Sequence, residues 1–573
     1  MIKNLRVPQK SSGNNLRIIP LGGCEEVGRN MTVFEYGNDI VILDMGLQFP
    51  EENMPGIDYV IPNVEYLKGK EKNIRGVIFS HGHLDHIGAA PILLNKLGNP
   101  QIIGRPLTIE MVKHRVEDLY RGTSKKLRTI YIKDLQQKFN LGVFTLSFFA
   151  IDHSVMDAVG VILKTPDGTI IHPGDWTITK NPVNKKALTY SHLSKLPKPT
   201  ILMLESLGAT DYKEPGTEEE MLNNLYKLII KAPGRTIIAT FSSQIERIRQ
   251  ILEHASKTNK KVALDGFSMK LNIELATKLG YIKIPKGVII TTDKAHNYPD
   301  NKIIIICTGA QGEEMAALSR ITAGNHKFIK IKKQDTIIFS SSVIPGNERT
   351  VQRLKDNIYR LSDNVYHSDI INVHISGHGN RDGIKQMIKE IKPDYFIPVY
   401  GNHYMLKEAG KIAYGMGFRK DNVIVPDNGS VIKFTRSAGS GQARAEMLKE
   451  KVPTNYVFVD GLGVGDVGEI VLRDRQMLAS DGMFVIVAVI DRKTGRVKGS
   501  PDIISRGFVY LRESKDLLSQ TRKKVIEIVD KSAGHGGPVN WVYVKDEIRN
   551  KVGDFLHSKT SRRPMILPVV IEV

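Results

Sequence analysis

The chain has 573 residues, 41% of them apolar and 25% charged, with a formal net charge of +20. That length is too great for one hydrophobic core and implies three or four domains of an ordinary soluble kind. No apolar run reaches the roughly 18 residues of a membrane span, and the stretch Met1 to Asn15 is polar and basic without a hydrophobic signal core. The two cysteines, Cys24 and Cys307, are far apart and in no metal-binding spacing. A cytoplasmic location is therefore expected, and any metal is left to histidine and carboxylate ligands. The positive charge attracts polyanions, of which nucleic acid is the commonest in a cytoplasm.

Met31–Tyr36 and Asp39–Asp44 read as strands joined through Gly37-Asn38, a hairpin signal, and the second ends with a carboxylate at Asp44. Gly76–Ser80 is an apolar strand that delivers Ser-His-Gly-His-Leu-Asp-His-Ile-Gly at residues 80–88. Gly160–Lys164 and Thr169–His172 flank Pro166-Asp167-Gly168, a second hairpin, with Gly174-Asp175 directly after it. From about residue 206 strands alternate with helices. Thr236–Phe241, Val262–Asp265, Val288–Thr292, Lys302–Ile306 and Thr336–Phe339 are buried-type strands. The helix Glu218–Lys231 opens with Thr217 and Glu220 in capping-box spacing and carries Met221, Leu222, Leu225, Leu228 and Ile229 on one face. This pattern predicts a doubly wound parallel α/β unit.

After Ile370 the first texture returns. His374–Asn380 is predicted to leave a strand, and Asp394–Tyr400 to be a strand ending in a polar turn. The simplest account is one α/β domain inserted into another. Residues 1–205 and 371–436 form the two parts of the outer domain and 206–370 the insert. Residues 437–455 read as a linker, introduced by the Ser- and Gly-rich run Arg436–Gln442. Residues 456–573 read as a small α+β domain, with strands Tyr456–Asp460, Met483–Asp491 and Pro564–Val573 and helices near 514–531 and 543–557.

His81, His83, Asp85 and His86 place four metal-ligand side chains in six positions, a pattern expected by chance only about 6 × 10⁻⁴ times in such a chain. Residues i and i+2 leaving a strand point the same way, so His81 and His83 can grip one ion. Asp85 and His86 follow in the turn and can address a second, as in two-metal hydrolases. His153 and Asp175 are the candidate partners; a carboxylate can bridge two cations, which suits Asp175. Asp44 is expected to orient a ligating imidazole through its free N–H. The run His374-Ile375-Ser376-Gly377-His378-Gly379 can form a phosphate pocket, because small residues let backbone N–H groups approach an anion. Charge and histidines together point to a nuclease.

The order Asp44, His81-x-His83-x-Asp85-His86, His153, Asp175 resembles the metallo-β-lactamase fold, and the insert with Ser376-Gly377-His378-Gly379 narrows this to β-CASP nucleic-acid hydrolases. Leu21-Gly22-Gly23, Gly56-Ile57-Asp58-Tyr59-Val60-Ile61-Pro62, Cys307-Thr308-Gly309-Ala310-Gln311-Gly312-Glu313, Phe339-Ser340-Ser341-Ser342 and Ile344-Pro345-Gly346-Asn347-Glu348 resemble the bacterial ribonuclease J family over nearly the whole chain. The resemblance implies an αββα sandwich with an inserted doubly wound α/β (β-CASP) domain and a small C-terminal α+β domain. It implies two Zn²⁺ per subunit, with Mn²⁺ or Mg²⁺ as alternatives. His81, His83 and His153 would hold the first ion, Asp85 and His86 the second, and Asp175 both. Asp85, Glu205 and His378 would take part in catalysis, Glu205 standing where the family has Asp. Residues His374 to His378 would bind substrate, His378 at the scissile phosphate.

One segment departs from the pattern. Where the family has Pro-x-His-Gly-Glu, supplying the last zinc ligand, this chain reads Pro398-Val399-Tyr400-Gly401-Asn402-His403. A phenol of pKa near 10 is a poor zinc ligand at neutral pH. The seventh ligand is therefore Tyr400, a repositioned His403, or missing, and the second metal site is in doubt. The function implied is a zinc-dependent ribonuclease with 5′-to-3′ exonuclease and endonuclease activity on single-stranded RNA, in mRNA turnover and rRNA maturation, working as a homodimer or homotetramer. Two other readings stay open: a catalytically weakened RNA-binding subunit of the same fold, and a metallo-hydrolase of a small substrate.

Overall fold

The computed structural model describes residues 15–179, 187–213, 216–436, 443–509, 514–533 and 540–573. The basic stretch up to residue 14 and the Ser- and Gly-rich run 437–442 lie outside the described residues. The chain divides into two compact units, one of residues 1–48 and 61–456, the other of residues 49–60 and 457–573.

The first unit is built on two sheets that share a core. The eight-stranded sheet runs in space Ala443–Lys451, Ser430–Arg436, Leu16–Gly22, Met31–Tyr36, Asp39–Leu43, Ile74–Ile78, Ile102–Gly104, Thr129–Tyr131. The six-stranded sheet runs Tyr395–Val399, Thr200–Glu205, Thr169–His172, Val159–Lys164, Phe144–Ala150, Phe139–Leu141. Phe34, Val41 and Ile78 from the one pack against Phe144, Val161, Ile201 and Ile397 from the other. Each such side chain, removed wholly from water, contributes about 1.5–3 kcal/mol. Helices Arg381–Ile391 and His403–Gly415 cover the outer face of the six-stranded sheet through Ile384, Met387 and Ile412, completing one side of an αββα sandwich.

Thr200–Glu205 and Tyr395–Val399 are parallel neighbours, with Leu204 opposite Pro398. The nearly 190 intervening residues therefore leave and re-enter between two adjacent strands, which is how the insert is accommodated. Its own sheet has six strands, ordered Ile289–Ile290, Lys261–Asp265, Ile303–Cys307, Thr236–Ala239, Thr336–Phe339, Asn364–Tyr366, all parallel. The helix Glu218–Lys231 forms as its pattern predicts: Thr217 accepts a hydrogen bond from the Glu220 amide at 3.1 Å, and Met221, Leu222, Leu225 and Ile229 are buried.

Three expectations about local structure are corrected. Residues 443–451, read as linker, form an edge strand antiparallel to Ser430–Arg436, with Phe434 opposite Ala445. Its charged, mostly exposed residues look like a solvated tail, but Ala443 and Ala445 pack on the core. Val288–Thr292 keeps only Ile289–Ile290 as strand, at a sheet edge where a single neighbour supplies pairing. His374–Asn380 does not leave a strand; the backbone there is irregular, and the Val373 carbonyl accepts from Ser340 Oγ and Arg247 Nη1 instead of a ladder partner.

In the second unit, Met483–Ile490 lies between Asp502–Arg506 and Met565–Glu572. Helices Lys515–Ala533 and Trp541–Thr560 cover one sheet face through Val525, Ile528, Val544 and Ile548. The other face leaves Ile504, Leu567, Val569 and Ile571 exposed. Residues 49–60, expected in the first domain, cluster here: the Asp58 amide donates to Val459 O at 2.9 Å and Gln476 Nε2 to Asn53 O at 2.6 Å. Among the described residues no helix is long and apolar enough to cross a membrane.

Candidate metal centre

The site collects at the C-terminal ends of strands. Asp39–Leu43 and Ile74–Ile78 are parallel and deliver Asp44 and the His81–His86 turn. Thr169–His172, Thr200–Glu205 and Tyr395–Val399 are parallel and deliver Asp175, Glu205 and Tyr400. The ends of parallel strands are where a rigid sheet presents side chains to a common crevice.

Three imidazole nitrogens converge. His83 Nδ1 lies 3.1 Å from His81 Nε2 and 3.1 Å from His153 Nε2. Asp175 Oδ2 is 3.7 Å from the first of these partners and 3.9 Å from the second. Each ring is held by its other nitrogen. His153 Nδ1 donates to the Gly377 carbonyl at 2.7 Å, and His83 Nε2 meets Ser243 Oγ of the insert at 3.0 Å. His81 Nδ1 donates to Ser80 Oγ at 3.0 Å, which in turn donates to Asp44 Oδ2 at 2.8 Å. With Nδ1 of His81 and His153 spent as donors, their Nε2 atoms present lone pairs, and a single proton on His83 Nδ1 can serve only one of them. That defect is removed by a cation: tetrahedral ligands at about 2.05 Å stand about 3.3 Å apart. Burial pushes the pKa of His81 well down and that of His83 to about 4. Burial and the neighbouring His83 push His153 to about 3. All three are thereby neutral imidazoles, the form in which histidine can hold a metal.

A second group faces the first across Asp175. His86 Nε2 lies 3.2 Å from Asp175 Oδ1 and 3.4 Å from Asp85 Oδ2. His86 Nδ1 donates to Asp44 Oδ2 at 2.8 Å, so Asp44 aligns one imidazole directly and His81 through Ser80. Asp44 does this from the left-handed region, at φ 62°, a conformation costing roughly 1–3 kcal/mol that the surrounding hydrogen bonds must offset. Gly46 lets the following loop close: a Cβ there would sit 1.6 Å from the Asp85 carbonyl oxygen.

The remaining expected residues lie around these groups. His378 Nδ1 is 2.6 Å from Glu205 Oε1 and 3.8 Å from Asp175 Oδ2, and Glu205 Oε2 accepts from the Trp176 amide at 3.2 Å. Burial lowers the His378 pKa, but Glu205 and Asp175 outweigh it and hold it up at about 9. Burial raises that of Glu205. Gly379 lies flat on the buried Trp176, where a Cβ would come within 2.3 Å of the ring. Ser376 is exposed, its Oγ accepting from the His378 amide at 3.1 Å. Ile375 is half-buried beside it, and His374 is buried edge-on to Phe241. Tyr400, also left-handed at φ 56°, is buried against His86 and His172, and its hydroxyl has no hydrogen-bond partner among the described residues. Burial and the surrounding carboxylates raise its pKa well above the usual range, so it is a phenol. His403 is not brought to the centre. It pairs with Asp427 at 3.4 Å and is 48% exposed, grouped with Glu25.

Sequence reasoning passed over Asn30, Ser80, Ser243 and Arg247. Asn30 Nδ2 lies 2.9 Å from His86 Nε2 and 3.2 Å from Asp85 Oδ2. Arg247 is buried and donates to Ser340 Oγ at 2.6 Å and to Val373 O at 3.3 Å. Ser80 adjoins the histidine cluster and so could have been found; the other three reach the site only through tertiary packing.

Residues 25–201 match the metallo-beta-lactamase superfamily, 233–358 the ribonuclease J beta-CASP domain, 364–426 the Zn-dependent metallo-hydrolase RNA specificity domain, and 470–573 the ribonuclease J C-terminal domain. The chain is 35% identical to ribonuclease J2 of Bacillus subtilis over 99% of its own length and 100% of that protein's. It is 36% identical to ribonuclease J 1 of Streptococcus pyogenes over 97% and 98% of the two chains. A crystal structure of a protein of unknown function from Enterococcus faecalis shares the fold, at 15% identity and a TM-score of 0.50, covering 73% of this chain and 100% of that one.

Proposed function

The chain belongs to the ribonuclease J family and is a metal-dependent ribonuclease, and on that premise we propose that it hydrolyses single-stranded RNA at a two-zinc centre, both from the 5′ end and internally. The observation that carries this reading is the meeting of His81 Nε2, His83 Nδ1 and His153 Nε2 around one point, with Asp175 beside them. His81, His83, His153 and Asp175 would hold the first ion, and Asp85, His86 and Asp175 the second. Such ions, when bound, lower the pKa of water and neutralise charge on phosphoryl oxygens; Mn²⁺ or Mg²⁺ in one position is compatible with the oxygen ligands there.

The protein's own groups supply orientation and a proton. Glu205 engages His378 Nδ1, which leaves His378 Nε2–H for the scissile phosphate or the leaving oxygen. Asp44 and Ser80 hold His81 and His86 in the ligating tautomer. The small-residue turn Ser376-Gly377, just after His374, suits a terminal 5′-monophosphate, since small side chains let backbone N–H groups approach an anion. The product would keep a 5′-phosphate, and the settings would be mRNA turnover and rRNA maturation in the cytoplasm. The apolar face of the C-terminal sheet at Ile504, Leu567, Val569 and Ile571 supports a homodimer or homotetramer.

Single-stranded RNA carrying a 5′-monophosphate, offered with and without a chelator, tests the reading. Metal-dependent release of 5′-nucleotides is expected. Absent RNA turnover with metal restored, together with hydrolysis of nitrocefin or a thioester, would transfer the site to a small substrate. A catalytically weakened RNA-binding subunit is the second reading, and Tyr400 in place of the family histidine is the observation in its favour.

A further inference from the structure

We propose that Asn30 takes the place left by the missing histidine, ligating the second metal ion through its side-chain oxygen and making that site harder than the first. The proposal rests on the two-metal reading above. Its basis is a distance pattern. Around His86 Nε2 stand Asn30 Nδ2 at 2.9 Å, Asp175 Oδ1 at 3.2 Å and Asp85 Oδ2 at 3.4 Å. Asn30 Nδ2 and Asp85 Oδ2 are 3.2 Å apart. Neighbouring ligands of an octahedral ion with bonds of about 2.1–2.2 Å are separated by about 3.0 Å. One end of the Asn30 carboxamide therefore already occupies a ligand position relative to two of the other donors.

The inward end is set by what lies between the donors. His86 Nδ1 donates to Asp44, so His86 Nε2 offers a lone pair once a cation takes the place of its proton, and Asp85 is a carboxylate. Facing the Asp85 carboxylate at 3.2 Å, the amide turns its NH₂ inwards, and Oδ1 is then buried without a hydrogen-bond partner among the described residues. A half-turn about Cβ–Cγ exchanges the two ends, and with a cation among the acceptors the oxygen is the end that is attracted. The backbone holds the side chain in place: the Asn30 amide donates to Asp85 O at 3.0 Å and Asn30 O accepts from the Gly46 amide at 2.9 Å. Tyr400 leaves the role open, since its hydroxyl is buried without a partner among the described residues and the ring packs edge-on to His86.

The two positions then differ in chemistry. The first has three imidazoles and one carboxylate, a zinc set. The second has one imidazole, two carboxylate oxygens and one amide oxygen, a set that suits Mn²⁺. Asn30→Ala removes the ligand, whereas Asn30→Asp supplies a better oxygen in the same shape and removes the amide's N–H donors. The full-length protein, stripped with chelator, given one equivalent of Zn²⁺ and titrated with Mn²⁺, is followed by elemental analysis and by the electron paramagnetic resonance of free Mn²⁺. Wild type should hold one zinc and take up one Mn²⁺. Asn30→Ala should keep the zinc and bind Mn²⁺ roughly 10–100-fold more weakly, and Asn30→Asp should bind Mn²⁺ at least as tightly as wild type. Unchanged Mn²⁺ affinity in Asn30→Ala, or an Asn30→Asp variant as weak as a deletion, would overturn the proposal, the latter showing that the amide acts as an N–H donor. Zinc without Mn²⁺ in wild type removes the second position alone. Uptake of neither ion removes the metal centre itself. If Asn30→Ala does not fold, the near-isosteric Asn30→Asp decides.

Discussion

Glu205 Oε1 and His378 Nδ1 lie 2.6 Å apart, and of the two side chains the imidazole is the one that reaches solvent, 30% exposed against 2%. The carboxylate holds the His378 pKa at about 9. Because this lies above the roughly 6.5 of an unfolded histidine, the pair's stabilisation is complete below that value and is lost as pH rises through about 9. Hydrolysis should therefore fall as pH rises through about 9. Replacing Glu205 with Gln should move that alkaline limb down by roughly one unit or more, measured as kcat/KM against pH. A limb that stays in place would separate the two residues functionally.

Ser243, on the insert, accepts or donates at His83 Nε2 across 3.0 Å. Substitution by Ala should leave the fold intact and lower turnover roughly 10–100-fold by freeing the ring. A circular dichroism spectrum beside a single-turnover rate checks this; full activity would mean that His83 is held by packing alone.

Tyr400→His should raise the affinity for a second zinc ion and increase activity at low metal, because it returns an imidazole to a buried position beside His86. His403→Ala should change neither, since His403 pairs with Asp427 at the surface. Metal titrations of the two variants compare them directly, and damage by His403→Ala would show that this histidine moves into the centre.

RNA affinity should be strongly electrostatic, as the +20 charge implies. In a variant unable to hydrolyse RNA, log affinity should fall linearly with log salt, by about 0.7 for each phosphate contacted on a single strand. A flat response would point to an uncharged or small substrate.

Much of the site was legible because it is local. The spacing of His81, His83, Asp85 and His86 within one turn points to metal binding, and Asp44 and Asp175 sit at strand and hairpin ends that β-rich runs and turn residues mark, whereas the strand Phe144–Ala150 that leads to His153 was not read from the sequence. The capped helix Glu218–Lys231 was equally plain, its cap and apolar face lying within 15 residues. What escaped is non-local. Asn30 and Ser243 are ordinary polar residues until folding brings them to His86 and His83. The edge strand Ala443–Lys451 carries the charges of a loop because one side of it faces water. His374–Asn380 sits in irregular backbone, and just before it the Val373 carbonyl is taken by side chains of the insert, Ser340 and Arg247. Residues 49–60 join the C-terminal unit through hydrogen bonds spanning some 400 residues, which no local pattern encodes.

The central claim is that the histidine cluster makes this chain a metal-dependent ribonuclease, and the turnover of one 5′-monophosphorylated RNA by wild type and by the His81→Ala, His83→Ala double variant tests it most directly. Loss of hydrolysis with RNA binding nearly unchanged is the predicted result, since the first ion would be lost while Lys and Arg contacts to phosphates remain. Undiminished turnover by the purified, nuclease-free double variant would contradict the account.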